Sequence, residues 1–146
     1  MLEVSCSTIG ASPMIRVLVV DDHEIIRTTV GAALAAAEDI DVVATCVDGL
    51  DCLDKAIGAQ PDVVVMDLSM PRLGGVEATR QLLVQLPMTK VIILTAAGYG
   101  IDLRDAMAAG AVGWVFKGSD TAEILRAVRT AAGSSPDGPA VTTSSV

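Results

Sequence analysis

Val63-Val64-Val65-Met66-Asp67-Leu68-Ser69-Met70-Pro71-Arg72-Leu73-Gly74-Gly75 decides how the rest of the chain is read. The stretch opens as an unbroken apolar run rich in β-branched residues, the mark of a strand buried on both faces. It stops at a lone carboxylate, Asp67, and Pro71, Gly74 and Gly75 then turn the chain toward a helix. A charge at the end of a buried strand is costly unless something pairs or uses it. Taken alone, Asp67 reads as a capping or turn aspartate. The other strands change that reading.

On either side of this stretch the chain alternates between apolar runs and helical stripes. Ile15–Val20 is a strand ending at Asp21-Asp22, followed by a helix from about His23 to Ala37 with Ile26, Val30, Ala33 and Leu34 on one face. Asp41–Thr45 is a short strand, and the helix after it, about Asp48 to Ala59, places Leu50, Leu53 and Ile57 together. Gly74–Leu86 is a helix stopped by Pro87, and Val91–Leu94 is a strand ending at Thr95. A weaker helix, Ile101–Ala109, closes at Gly110, then Ala111–Phe116 is a strand ending at Lys117. The last helix, Thr121–Ala132, turns Ile124, Leu125, Val128 and Ala131 inward. Five such β-α units predict an α/β fold, a doubly wound five-stranded parallel sheet of order 2-1-3-4-5 and flavodoxin-like (βα)5 form.

Composition sets the limits. At 146 residues the chain is long enough for one domain with a core and too short for two full ones. Aromatic content is only 2%, so Val, Ile, Leu, Ala and Met must build that core. A net charge of −8 argues against gripping a nucleic-acid backbone, which takes basic patches. No apolar run approaches the ~18 residues of a membrane span. Cys6, Cys46 and Cys52 lack metal-type spacing; the last two read as reduced, partly buried thiols of a cytoplasmic protein. Residues 1–13 lack the features of a signal peptide and read as a disordered leader, 14–132 as the domain, and the Gly/Ser/Pro/Thr-rich 133–146 as a flexible linker or tail.

Ligands of a doubly wound sheet bind beyond the carboxyl ends of its strands. Four of the five strands end in a polar group there: Asp21 and Asp22, Asp67, Thr95, and Lys117. Three clustered carboxylates must take up protons, find a partner or bind a cation. A hard, anionic, all-oxygen set suits Mg²⁺, and a lysine and a hydroxyl beside it are the donors expected around a transferring phosphoryl group. Asp67 is then the nucleophile, forming an acyl phosphate. The plain alternative is a salt-bridged strand edge, with Lys117 on one Asp and Thr95 as a cap.

With these residues in place, the chain resembles the receiver domain of two-component response regulators. The matching pieces are Val19-Val20-Asp21-Asp22-His23, Met66-Asp67-Leu68-Ser69-Met70-Pro71, Leu94-Thr95-Ala96 and Val115-Phe116-Lys117. Asp22-His23-Glu24 and Gly113-Trp114-Val115-Phe116-Lys117 look most like the LuxR/NarL-type subfamily. The resemblance implies that Asp67 accepts phosphate from a histidine kinase or a small acyl-phosphate donor. It implies Mg²⁺ (or Mn²⁺) held by Asp22 and Asp67, with Asp21 behind and the Ser69 carbonyl completing the set. Thr95 matches the switch hydroxyl, Lys117 the lysine that pairs with the phosphoryl group, and Trp114 the aromatic switch position. The implied protein is not an enzyme beyond its own phosphorylation and dephosphorylation. It implies a possible homodimer, through the fourth helix, fifth strand and fifth helix or through the first and fifth helices. Full-length LuxR-type regulators bind DNA through a C-terminal domain after a linker. This chain stops inside what resembles that linker, as an excised receiver domain or a stand-alone protein would; with no basic recognition helix and an acidic balance the segment itself is expected to bind no nucleic acid, and with no long apolar run no membrane.

Several features depart from the family pattern or distract from it. Trp114 stands where Tyr or Phe is usual, and its indole N–H needs a partner when buried. Ala96-Ala97-Gly98-Tyr99-Gly100 carries two glycines and no acid, which loosens the expected coupling between Thr95 and the fourth helix. Small Ala97 and Ser69 either open the phosphoryl site to water or reflect packing. His23 reads as a helix N-terminal residue outside the pocket. Asp21-x-His23 is similar to the Asp-x-His-x-x-Gly signature of cobalamin-binding domains, but position 26 is Ile. The Asp-x-Asp of haloacid dehalogenase-type phosphatases is also missing. Two rival functions remain at this level: a degenerate receiver acting as a phosphorylation-independent interaction module, and a flavodoxin-like domain binding a small molecule.

Overall fold

The computed structural model describes residues 14–96 and 100–133. The leader and almost all of the tail expected at 1–13 and 133–146 lie outside them, as do Ala97, Gly98 and Tyr99. The elements in chain order are β1 (Ile15–Val20), α1 (Glu24–Ala35), β2 (Ile40–Cys46), α2 (Gly49–Ala59), β3 (Val63–Asp67), α3 (Gly75–Gln85), β4 (Lys90–Thr95), α4 (Ile101–Ala109), β5 (Gly113–Phe116) and α5 (Thr121–Ala132). All strand pairs are parallel and the order is β2-β1-β3-β4-β5, as expected from the alternation. Among the described residues, no helix is long and apolar enough to cross a membrane.

Strand alternation divides the core in two. Val17, Val19, Val63, Val65, Ile92 and Leu94 face one side, where Val30 and Leu34 of α1 and Ile124, Ala127 and Val128 of α5 cover them. Leu18, Val20, Val64, Met66, Val91 and Ile93 face the other side, under α2, α3 and α4. β3 sits at the centre and is buried along its whole length, which is why its sequence shows no polar alternation.

Element boundaries moved by one or two residues where turns intervene. α1 stops at Ala35 because Ala37 N–H donates to Leu34 O in a tightened last turn. β5 begins at Gly113, two residues late, because Ala111 N–H still bonds back to Ala106 at the end of α4. The face expected for α2 needs a larger correction. Its buried residues are Gly49, Cys52 and Ala56, whereas Leu50 and Ile57 are 44% and 45% exposed. The helix comes close to its neighbours through small side chains, which hydropathy alone ranks below leucine. A Cβ on Gly49 would lie 2.4 Å from Leu73 O.

Candidate functional site

Parallel strands bring their ends to one edge, and there the predicted residues meet. Asp21 and Asp67 are buried, at 0% and 3% exposure, and Thr95 is buried beside them. Lys117 Nζ lies 3.1 Å from Asp21 Oδ2 and 3.1 Å from Asp67 Oδ1, bridging the ends of β1 and β3. The bridge leaves acceptor capacity unused: Asp67 Oδ2 has no hydrogen-bond partner among the described residues, and Asp21 Oδ2, though close to the ammonium, makes no well-directed bond. β5 aims the lysine by pairing with β4, and Lys117 N–H donates to Thr95 O (2.6 Å).

An open cleft of about 650 Å³ covers this edge, lined by Asp22, His23, Asp67, Ser69, Thr95 and Lys117 among others. Ligand atoms from Asp21, Asp22, His23 and Asp67 all lie within 4.8 Å of one another. Three carboxylates face one lysine, so the site is short of positive charge. Burial pushes the Asp67 carboxyl above the usual carboxylate range, and the neighbouring Asp21 charge adds to this against the pull of Lys117. Burial opposes the charge of Lys117, but the nearby Asp21 and Asp67 carboxylates together outweigh it and hold the ammonium above its ordinary value. Crowded oxygens with unpartnered lone pairs fit a hard divalent cation such as Mg²⁺.

His23 is the site residue that sequence reasoning set aside. It is at the N-terminus of α1 as expected, but it does not stand outside the pocket. Its backbone N–H donates to Asp21 Oδ1 (2.8 Å), which turns the ring back so that Nδ1 lies 3.2 Å from both the Asp21 and the Asp22 carboxylates. A local turn between residues two apart made this contact, a pairing that an Asp-x-His spacing permits. Trp114 is half-buried on the α2–α4 side of the sheet, opposite Ile93 on β4 and on the same pleat as Thr95.

The β3–α3 loop carries Ser69 at the rim of the cleft. Its sharp return is possible because Gly75 follows: a Cβ there would lie 2.2 Å from Asp67 O. Arg72, with φ of +65°, sits in the left-handed region that side chains avoid. Its guanidinium grips Asp48 at the start of α2 (2.6 and 3.0 Å). Sequence reading passed over this pair, since 24 residues separate the partners and neither belongs to a motif.

A family model described as the response regulator receiver domain matches residues 17–129. The chain belongs to the response regulator receiver domain family. It is 44% identical over 116 residues to the response regulator GacA of Pseudomonas aeruginosa, covering 80% of this chain and 54% of that protein. It is 39% identical over 123 residues to the transcriptional regulatory protein LiaR of Bacillus subtilis, covering 84% of this chain and 58% of that one. The chain thus spans little more than half the length of these relatives. Among solved structures, the receiver domain of a NarL response regulator from Mycobacterium tuberculosis superposes with a TM-score of 0.79 at 30% identity, covering 83% of this chain and 98% of that one. A LuxR-family response regulator from an Aurantimonas species gives a TM-score of 0.79 at 32% identity, covering 90% and 91%. The receiver domain is thus of the LuxR/NarL kind, and the phosphorylation-independent alternative is not favoured.

Proposed function

We propose that this receiver domain accepts a phosphoryl group on Asp67, with Mg²⁺ (or Mn²⁺) held by Asp22, Asp67, the Ser69 carbonyl and, behind them, Asp21. The observation that carries the reading is the Lys117 bridge, which orients Asp67 through Oδ1 while Oδ2 has no hydrogen-bond partner among the described residues. An Asp67 oxygen attacks the phosphorus of a donor, phosphohistidine of a sensor kinase or a small acyl phosphate. The acyl P–O bond forms as the donor's P–N or P–O bond breaks, and the leaving group departs with its electron pair and takes up a proton. The cation, when bound, neutralises charge on the phosphoryl oxygens. Lys117 offers its ammonium to the transferred group and Thr95 its hydroxyl.

The chemistry is done on the protein itself, with no separate substrate turned over. Thr95 and Trp114 share a face of adjacent strands, so movement of the hydroxyl toward the phosphoryl group shifts the space beside the indole. Output then passes to the α4–β5–α5 face as a population shift biased by one covalent charge. A cytoplasmic location and a sensor histidine kinase as partner follow from this role. So do a possible homodimer and control of transcription through a DNA-binding domain in a full-length regulator.

Intact mass after incubation with a small acyl-phosphate donor and Mg²⁺ tests the reading, with fluorescence of Trp114 followed in parallel. The expected result is one added phosphoryl group, abolished by Asp67→Asn or by chelation of the metal, together with a change in emission. An unmodified mass at saturating donor overturns the reading.

A further inference from the structure

We propose that Asp48 and Arg72 form a positioning clamp that holds the β3–α3 loop in its cation-binding shape. The inference deepens the metal-site reading above and rests on it. Three observations converge on the loop. Its two ends are pressed against fixed backbone: Gly75 N–H donates to Leu68 O (2.9 Å), and Gly49 N–H, at the start of α2, donates to Leu73 O (3.0 Å). Between those ends Arg72 holds a left-handed conformation (φ +65°) that costs a non-glycine residue free energy. Its guanidinium makes two bonds to Asp48, whose side chain is only 4% exposed and also caps α2 by accepting from Asp51 N–H (2.9 Å).

A bidentate guanidinium–carboxylate pair fixes orientation as well as distance. The carboxylate is itself fixed by the helix it caps, so the loop is referred to α2 rather than left to its own torsions. Ser69 lies three residues before Arg72, and its carbonyl is the one backbone ligand the site reading requires. Groups that orient metal ligands without touching the metal set affinity by holding the ligands in place. Asp48 and Arg72 act through Ser69 in this sense and are positioning residues.

The test is Mn²⁺ binding to the 146-residue chain, read by loss of the free-ion electron paramagnetic resonance signal and confirmed by Mg²⁺ competition. Arg72→Gly removes the guanidinium and relieves the left-handed backbone. Asp48→Asn keeps a side chain able to cap α2. Each is expected to weaken Mn²⁺ binding about tenfold while thermal melting shows a folded protein at the assay temperature. The double variant is expected to be no weaker than the single ones by more than about twofold, as for partners acting as a unit. Arg72→Lys should recover part of the affinity. The Mg²⁺ concentration for half-maximal phosphorylation should rise more than the rate at saturating Mg²⁺ falls. Wild-type affinity in the variants overturns the clamp, and so does a loss of affinity that merely tracks lost thermal stability. A wild-type chain that binds no Mn²⁺ removes the site reading and the clamp with it, and that failure shows before any substitution is made.

Discussion

Asp67 is a buried carboxylate whose nearest charges are two other carboxylates and one ammonium. Its folded-state pKa lies above its unfolded value, so the folded protein binds this proton more tightly than the unfolded chain does. Ionised Asp67 therefore works against folding above that raised pKa, and the penalty fades as pH falls back toward the ordinary range near 3.8. Asp67→Asn is expected to stabilise the metal-free protein at neutral pH, measured by urea denaturation in the presence of a chelator. Added Mg²⁺ should narrow the difference, because it stabilises the wild type alone. A variant less stable than wild type without metal would show that Lys117 already compensates the cluster. At the residue scale the sequence is legible, since Asp21, Asp22, Asp67, Thr95 and Lys117 each announce themselves as a polar residue closing an apolar run, and the structure brings them to one edge of the sheet. His23 did not announce itself, because its approach to Asp21 depends on a turn and not on a strand.

At the scale of elements, the β3–α3 loop and the start of α2 behave as one unit. The hydrogen bonds from Arg72, then the Asp51 N–H, hold the Asp48 carboxyl below the usual carboxylate range. A depressed folded pKa gives stability that is present above the unfolded value, near 3.8, and lost as pH falls through the folded one. Asp48→Asn is accordingly expected to cost about 1 kcal/mol at neutral pH, a figure reduced for the exposure of Arg72 to solvent. It should flatten the decline of stability below pH ~4. Chemical denaturation of both proteins across acidic pH checks this, and parallel curves would contradict it. The α2 face shows why such a unit is hard to foresee. Leu50, Leu53 and Ile57 form a persuasive stripe in the sequence, but only Leu53 of them packs on the core; the buried contact is made by Gly49, Cys52 and Ala56, and at Gly49 the loop's backbone takes the space a larger side chain would fill.

At the scale of the whole molecule, one sheet with two covered faces leaves its chemistry to a single edge. The far side of that economy is a sealed core. Cys46 and Cys52 are both fully buried, and burial raises the Cys46 thiol well above its ordinary value and the Cys52 thiol to about 12. Neither presents a reactive thiolate. Iodoacetamide at neutral pH is expected to leave both unmodified in the folded protein and to alkylate both in denaturant, as read by peptide mass; rapid native labelling would mean that α2 opens. The acidic balance of −8 likewise predicts no gel shift of duplex DNA by this segment at moderate salt. The sequence by itself determined the number of β-α units, the parallel sheet and the polar residues that close its strands at one edge. Those follow from periodicity and from where apolar runs stop, which are properties of neighbours in the chain. Only the tertiary structure decided that Asp48 and Arg72 meet, and that α2 buries Gly49, Cys52 and Ala56 while Leu50 and Ile57 stay exposed. Each of these depends on distances between segments or on the room left by backbone, and no local pattern encodes them.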